Sequence, residues 1–255
     1  MFKRINTQSQ KIKPFFSIIT VVKNNQKNIL KTVKSISNQT FKNFEYIIID
    51  GNSYDKTINK IINNNFYSLL ISEKDNGIYD AMNKGIKYSK GKVIIFVNSG
   101  DLLDRNALKF VHREFSKDHN ISFVFGTVLR HYTKQSILKY GYNFLRMQYN
   151  FDFATAHSTG FFLKKKIYDE IGLYDTNFKC SADYDMYFRV YKKKLKGSFT
   201  KKKDVVGEVA SGGFSSKVPF LSHLLEETKI RIKNKQNNLM IILIFFNSLV
   251  KRLFK

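Results

Sequence analysis

Most of the chemistry this sequence offers sits at four acidic stations: Asp50, Asp75, Asp101 and the pair Asp183/Asp185. Asp50 closes the apolar run FEYIIID. Asp101 closes KVIIFVNSGD, where apolar residues give way to Asn-Ser-Gly-Asp. A single Asp after a strand usually makes a turn or caps a helix. Several at one edge of a sheet make a site for a divalent cation and phosphates, because carboxylate oxygens suit Mg²⁺ or Mn²⁺ and the metal then bridges a diphosphate. Other chemistries lack their signatures. There is no GxxxxGK[ST] phosphate loop, no GxGxxG after the first strand, no HExxH and no GxSxG. His157 and His223 stand alone, and Cys180 has no base beside it in sequence.

The elements around these stations read as alternating strand and helix. Residues 16–22 (FSIITVV), 44–50, 67–72 and 92–97 are short apolar runs expected as buried strands. Between them, residues 28–38 place Ile29, Leu30, Val33 and Ile36 at helical spacing. Asp55 stands where it can cap a helix over 56–64, and residues 78–88 form a third helix. Strands apolar on both faces predict a doubly wound, mostly parallel α/β sheet covered by helices. Ligands bind such sheets beyond the carboxyl ends of the strands, which is where Asp50 and Asn98–Asp101 fall. The second half is less regular. Strands are expected over 121–128, 160–163 and 205–210, and helices over 165–171 and 183–191. Residues 130–153 give no period, and Gly212, Gly213 and Ser215 lie in a glycine-serine loop that reads as a lid or a plain turn.

With 255 residues and 43% hydrophobic content, the chain is long enough to bury a large core. The formal net charge of +24 points to an anionic partner or to lysine-rich coding bias. No zinc-finger, RNP-like or basic-zipper pattern favours nucleic acid. One cysteine excludes an intrachain disulfide, and MFKRINTQSQKIKP lacks the apolar core of a secretory signal. Near the other end, LMIILIFF (239–246) is too short to cross a bilayer. With basic residues on both flanks, it reads as a helix lying in an anionic membrane interface, the plainer alternative being a core helix.

The ordered motifs FSIITVVKNN, SISNQTFKNFEYIIIDGNSYDKT, ISEKDNGIYDAMNKGI, GKVIIFVNSGD, HSTGFFLKKKIYDEIGLYD and SADYDMYFRV resemble family-2 glycosyltransferases of the GT-A fold. Their wording is similar to the colanic-acid-type branch that builds bacterial surface polysaccharides, including lipopolysaccharide. The resemblance covers about residues 15–215. It leaves a basic N-terminal extension (1–14) and a helical, membrane-associating tail (216–255). It implies inverting transfer from a nucleotide sugar, a UDP-sugar as the family-level expectation, to a glycan or lipid-linked acceptor, with Mg²⁺ or Mn²⁺. The place of action implied is the cytoplasm, on the inner face of the plasma membrane. By the same resemblance Thr20, Asp50, Asp75, Asn83, Lys84 and Asn98 belong to nucleotide-sugar binding, Asp101 to the metal, and Asp183 to the catalytic base. Three departures stand out: Asn98 and Gly100 where the signature carries acids, Gly51 where many members have a second Asp, and Ala182 where they have Glu. The rival readings are a catalytically weak nucleotide-sugar-binding pseudoenzyme, a nucleotidyltransferase and a basic nucleic-acid-binding protein.

Overall fold

Strands that are apolar on both faces decide the architecture. In the computed structural model, which describes residues 2–5, 13–143 and 158–253, β2 (Phe16–Val22), β3 (Phe44–Asp50), β4 (Leu69–Ser72) and β5 (Val93–Phe96) run parallel. Every residue of β2, β3 and β5 is buried. Alternation along β2 builds two cores. Ile19 and Val21 join Met82 and Ile86 of α3 (Ile78–Tyr88) and Met186 of α6 (Ala182–Lys192). Ile18 and Val22 join Ile29 and Val33 of α1 (Ile29–Ser37) and Val111 and Phe115 of α4 (Ala107–Lys117). A strand period of two, buried on both sides, requires helices on both faces.

β10 (Phe161–Lys164) pairs antiparallel with β5 and with β7 (Phe123–Phe125), and β11 (Gly197–Phe199) adds parallel to β7. The large sheet has the order β1-β4-β3-β2-β5-β10-β7-β11, with β1 (Phe2–Ile5) antiparallel to β4. A smaller sheet, β6-β12-β8-β9, comprises β6 (Leu102–Leu103), β12 (Val205–Val209), β8 (Thr127–His131) and β9 (Ser136–Lys139). Helices α2 (Thr57–Asn64), α5 (Lys165–Ile171), α7 (Phe220–Lys233) and α8 (Asn238–Leu253) complete the described elements.

The fold departs from the sequence expectations in several places, the short strands β6 and β11 among them. The strand expected over 121–128 is two strands in two sheets. A Cβ on Gly126, at the crossing, would lie 2.3 Å from Val206 Cγ2. Part of the basic extension is an edge strand, β1. Helix α4 was not anticipated, although Leu108, Val111 and Phe115 carry helical spacing. Asp55 acts one step ahead of α2, accepting the Thr57 N–H at 2.9 Å. The aperiodic stretch begins as the β8–β9 hairpin, and its continuation, like His157, lies outside the described residues. Among the described residues, no helix is long and apolar enough to cross a membrane.

Candidate active site

The turn after β5 is built by its neighbours. Asp101 N–H bonds Asn98 C=O at 2.9 Å, closing Asn98-Ser99-Gly100-Asp101. Gly100 has φ +113°, a left-handed conformation that needs glycine. A Cβ there would meet nothing nearer than 3.9 Å, so backbone conformation rather than crowding selects the residue. Thr32 of α1 fixes the turn from below: its hydroxyl accepts from Gly100 N–H (2.9 Å) and donates to Asp101 C=O (2.9 Å). Asn25, just past β2, donates to Ser99 C=O at 2.9 Å. The strand stops on NSGD because α1 and the β2 loop hold that turn at the carboxyl edge of the sheet.

A cavity of about 880 Å³ opens there. Its floor includes Lys23, Asn25 and the turn 98–101. One wall holds Asp183 and Tyr184 at the start of α6. The roof is formed by Arg130, residues 210–213, Lys217, and Phe220, His223 and Glu227 of α7, with Arg252 of α8. Lys23, Arg130, Lys217 and Arg252 give the cavity four basic side chains, as a polyanionic ligand requires.

Asp101 is almost fully buried. Its carboxylate accepts from Thr159 Oγ1 (3.0 Å) and Ala210 N–H (3.1 Å), so it also ties the 158–160 turn and the end of β12 to the site. Asn98 Nδ2 donates to Ser158 Oγ at 3.1 Å. Asn98 Oδ1 is buried and, among the described residues, has no hydrogen-bond partner. A buried orphan oxygen calls for a donor or a cation. No three His, Cys, Asp or Glu side chains cluster as a metal cage among the described residues. One carboxylate and one amide oxygen instead suit a hard cation that takes its remaining ligands from phosphate oxygens and water.

Asp183 is half-buried and faces the same cavity. Tyr79 donates its hydroxyl to Asp183 Oδ1 at 3.2 Å, and Tyr184 N–H donates at 3.1 Å. Burial, reinforced by the Asp183 charge, pushes the Tyr79 phenol well above its usual value, so it stays a donor. Asp185, two residues on, points elsewhere. It is fully buried and accepts from Arg189 Nε (2.9 Å), Asn234 Nδ2 (3.0 Å) and Lys233 Nζ (3.2 Å), joining α6 to α7. Glu226 of α7 accepts the Lys179 (2.7 Å) and Cys180 (3.0 Å) N–H groups ahead of α6. Together these bonds fix the start of α6 and therefore Asp183.

Of the eight residues to which the resemblance gives a role, Asn98, Asp101 and Asp183 line the cavity together and the other five do not; Gly100, Cys180, Gly212, Gly213 and His223, also named in the sequence, line it too. Thr20 is fully buried beneath, donating to Val97 C=O (2.8 Å) and accepting from Tyr46 (3.0 Å). Asp50, also fully buried, binds Ser53 N–H (2.9 Å), Ser53 Oγ (2.5 Å) and Ser72 Oγ (2.7 Å), locking the loop after β3. Asn83 exchanges bonds with the Tyr174 backbone (2.8 and 3.0 Å). Lys84 pairs with Glu73 (2.9 Å) and Asp80 (3.3 Å). Asp75 covers Gly51: a Cβ on Gly51 would lie 2.1 Å from Asp75 Oδ2 and 3.3 Å from Lys23 Cδ. The carboxylate of Asp75 thus occupies space that a second Asp at position 51 would need. Sequence reading missed the roof residues Arg130, Lys217, Glu227 and Arg252, which no motif marks.

The family model described as "Glycosyl transferase family 2" matches residues 17–172. A PGL/p-HBAD biosynthesis glycosyltransferase of Mycobacterium bovis is 28% identical over 183 residues, covering 70% of this chain and 70% of that protein. A chondroitin synthase of Pasteurella multocida is 27% identical over 183 residues, 69% of this chain but 19% of the synthase. Among solved structures, S. aureus TarS 1–349 in complex with UDP-GlcNAc superposes with a TM-score of 0.68 at 15% identity, covering 92% of this chain and 71% of that one. The mannosyltransferase PcManGT from Pyrobaculum calidifontis, in complex with GDP-Man and Mn²⁺, gives 0.62 at 14% identity, covering 88% and 64%. Both carry the same fold.

Proposed function

This chain belongs to glycosyl transferase family 2 and is a glycosyltransferase of the GT-A fold, and from that footing we propose that it moves a sugar, with inversion, from a nucleoside-diphosphate sugar to a glycan or lipid-linked acceptor of a bacterial surface polysaccharide. The observation that carries this reading is that Asp101 and Asp183 line one cavity at the carboxyl edge of the parallel strands, on separate elements. Nucleotide sugars bound to neighbours of the same fold support the donor class, and UDP is the proposed nucleotide.

Each group has a role in one displacement. Lys23, Arg130, Lys217 and Arg252 attract the diphosphate. Asp101, with Asn98 Oδ1, would hold Mg²⁺ or Mn²⁺, and such a cation would supply charge neutralisation for a departing nucleoside diphosphate. The acceptor hydroxyl is a poor nucleophile, and Asp183 takes its proton as the new glycosidic bond forms. Tyr79 and the Tyr184 N–H orient the carboxylate, and one base with no covalent intermediate gives inversion. The enzyme is proposed to work at the cytoplasmic face of the membrane and not on nucleic acid.

The test is a screen of UDP- and GDP-sugars by thermal shift with and without Mn²⁺, followed by NMR of the product's anomeric configuration. A bound donor must raise the melting temperature. Stabilisation by a nucleotide sugar and an inverted product are expected. No response to any nucleotide sugar, or a retained configuration, would sink the proposal.

A further inference from the structure

The α7–α8 hairpin carries an apolar face that is exposed among the described residues. On α8, Leu239 (67% exposed), Ile242, Leu243, Phe246 (60%) and Val250 are open to solvent at positions i, i+3, i+4, i+7 and i+11. That spacing makes one stripe along one side of a helix, while Ile241, on another side, is only 6% exposed. Single exposed apolar residues are ordinary; a contiguous stripe marks an interaction surface. The outer end of α7 adds exposed Phe220, Leu221 and Leu225. Arg252 lies 5.7 Å from the Phe220 ring, so the end of α8 meets the start of α7. Phe220 and Arg252 both line the cavity. The two helices that carry the exposed apolar residues thus also border the cavity.

Charge identifies the occupant. α8 has no acidic residue, and the hairpin exposes Lys229, Lys235, Lys251 and Arg252. The only acids of the hairpin, Glu226 and Glu227, are turned inward, one to the backbone ahead of α6 and the other to the cavity. An apolar stripe on a hairpin whose exposed charges are basic complements an anionic bilayer, whereas a second copy of the same face would set like charges together. At 16 residues, α8 is shorter than a bilayer span needs, which leaves lying in the interface as the way it could meet a membrane.

Resting on the transferase reading above, we propose that this face docks on an anionic lipid bilayer and turns the cavity mouth toward the headgroups, where a lipid-linked acceptor is presented. The test uses the full chain, flotation with vesicles of phosphatidylcholine with or without phosphatidylglycerol, and the triple substitution Leu243→Ser, Phe246→Ser, Val250→Ser. Wild type floats with anionic vesicles and not with neutral ones. The triple variant, whose altered side chains are already exposed, binds UDP-sugar as wild type does but partitions about 10²-fold less, given the transfer energies of such side chains. The chain has no tryptophan, so Leu221→Trp near the mouth and, separately, Phe246→Trp on the stripe serve as sole reporters. Brominated acyl chains quench both if the mouth faces the bilayer. Wild type that ignores anionic vesicles, a triple variant that floats undiminished, or a wild-type dimer that the triple substitution splits would overturn docking. Quenching at 246 but not at 221 would overturn the orientation. Vesicle binding without binding of any nucleotide sugar would instead fail the transferase reading and leave the docking intact.

Discussion

Removing the Asp185 carboxylate by Asp185→Ala should unfold the protein earlier without passing through the chemistry. Three donors converge on this fully buried group: Arg189 Nε at 2.9 Å, Asn234 Nδ2 at 3.0 Å and Lys233 Nζ at 3.2 Å. Arg189 cannot turn to water, because its other nitrogens hold the carbonyls of Ile171 (2.5 Å), Gly172 (2.9 Å) and Leu173 (2.8 Å). Its charge would be left with no carboxylate beside it. Lys233 is 42% exposed and also pairs with Asp175, so it adds little. Breaking a buried pair by deleting one partner costs about 3–5 kcal/mol. At about 2–4 °C per kcal/mol for a chain of this size, Tm falls by about 6–20 °C. Asp185→Asn keeps the shape and one accepting oxygen, and should lose less. Differential scanning calorimetry reads the shift, and turnover is measured below the variant's transition. A Tm within a degree or two of wild type, or a turnover collapse in folded Asp185→Asn, would refute this division of labour between Asp185 and Asp183.

Two further outcomes follow. Asp101→Asn should abolish Mn²⁺-dependent donor binding in calorimetry, with a modest loss of stability because the amide still accepts one of the two bonds from Thr159 and Ala210; unchanged affinity would remove Asp101 from the site. Burial, with Glu226 close by, pushes the Cys180 thiol up to about 12, so it is a neutral thiol at pH 8 and gains reactivity only as pH climbs toward that value. Iodoacetamide should label it slowly in the folded protein and rapidly in denaturant, and fast labelling of the folded state at pH 8 would contradict the burial argument.

Much of the first hundred residues was legible because β2, β3 and β5 are buried on both faces and announce themselves as unbroken apolar runs. The second half hid its plan. At Gly126 one apolar stretch divides between two sheets, a fact that depends on Val206 some eighty residues later. Of the expected site residues, those at NSGD and ADYD line the cavity. Others lie outside it, held by side-chain and backbone partners. Thr20 and Asp50 sit at the expected strand ends, yet nearby hydroxyl, amide and carbonyl groups take up their side chains. Other lining residues had no local signature: Lys217, in the turn before α7, and Arg252, near the end of α8, come to the cavity from far along the chain.

The claim that Asp183 removes the acceptor proton is tested most directly by the transfer rate of Asp183→Asn under saturating donor and acceptor, with donor affinity and Tm recorded beside it. Asn keeps an oxygen for Tyr79 and the Tyr184 N–H, so fold and donor binding should stay close to wild type. Loss of a positioned general base lowers turnover by about 10²–10⁴-fold, and that is the result expected here. A folded Asp183→Asn enzyme that binds donor and turns over near the wild-type rate would contradict the account.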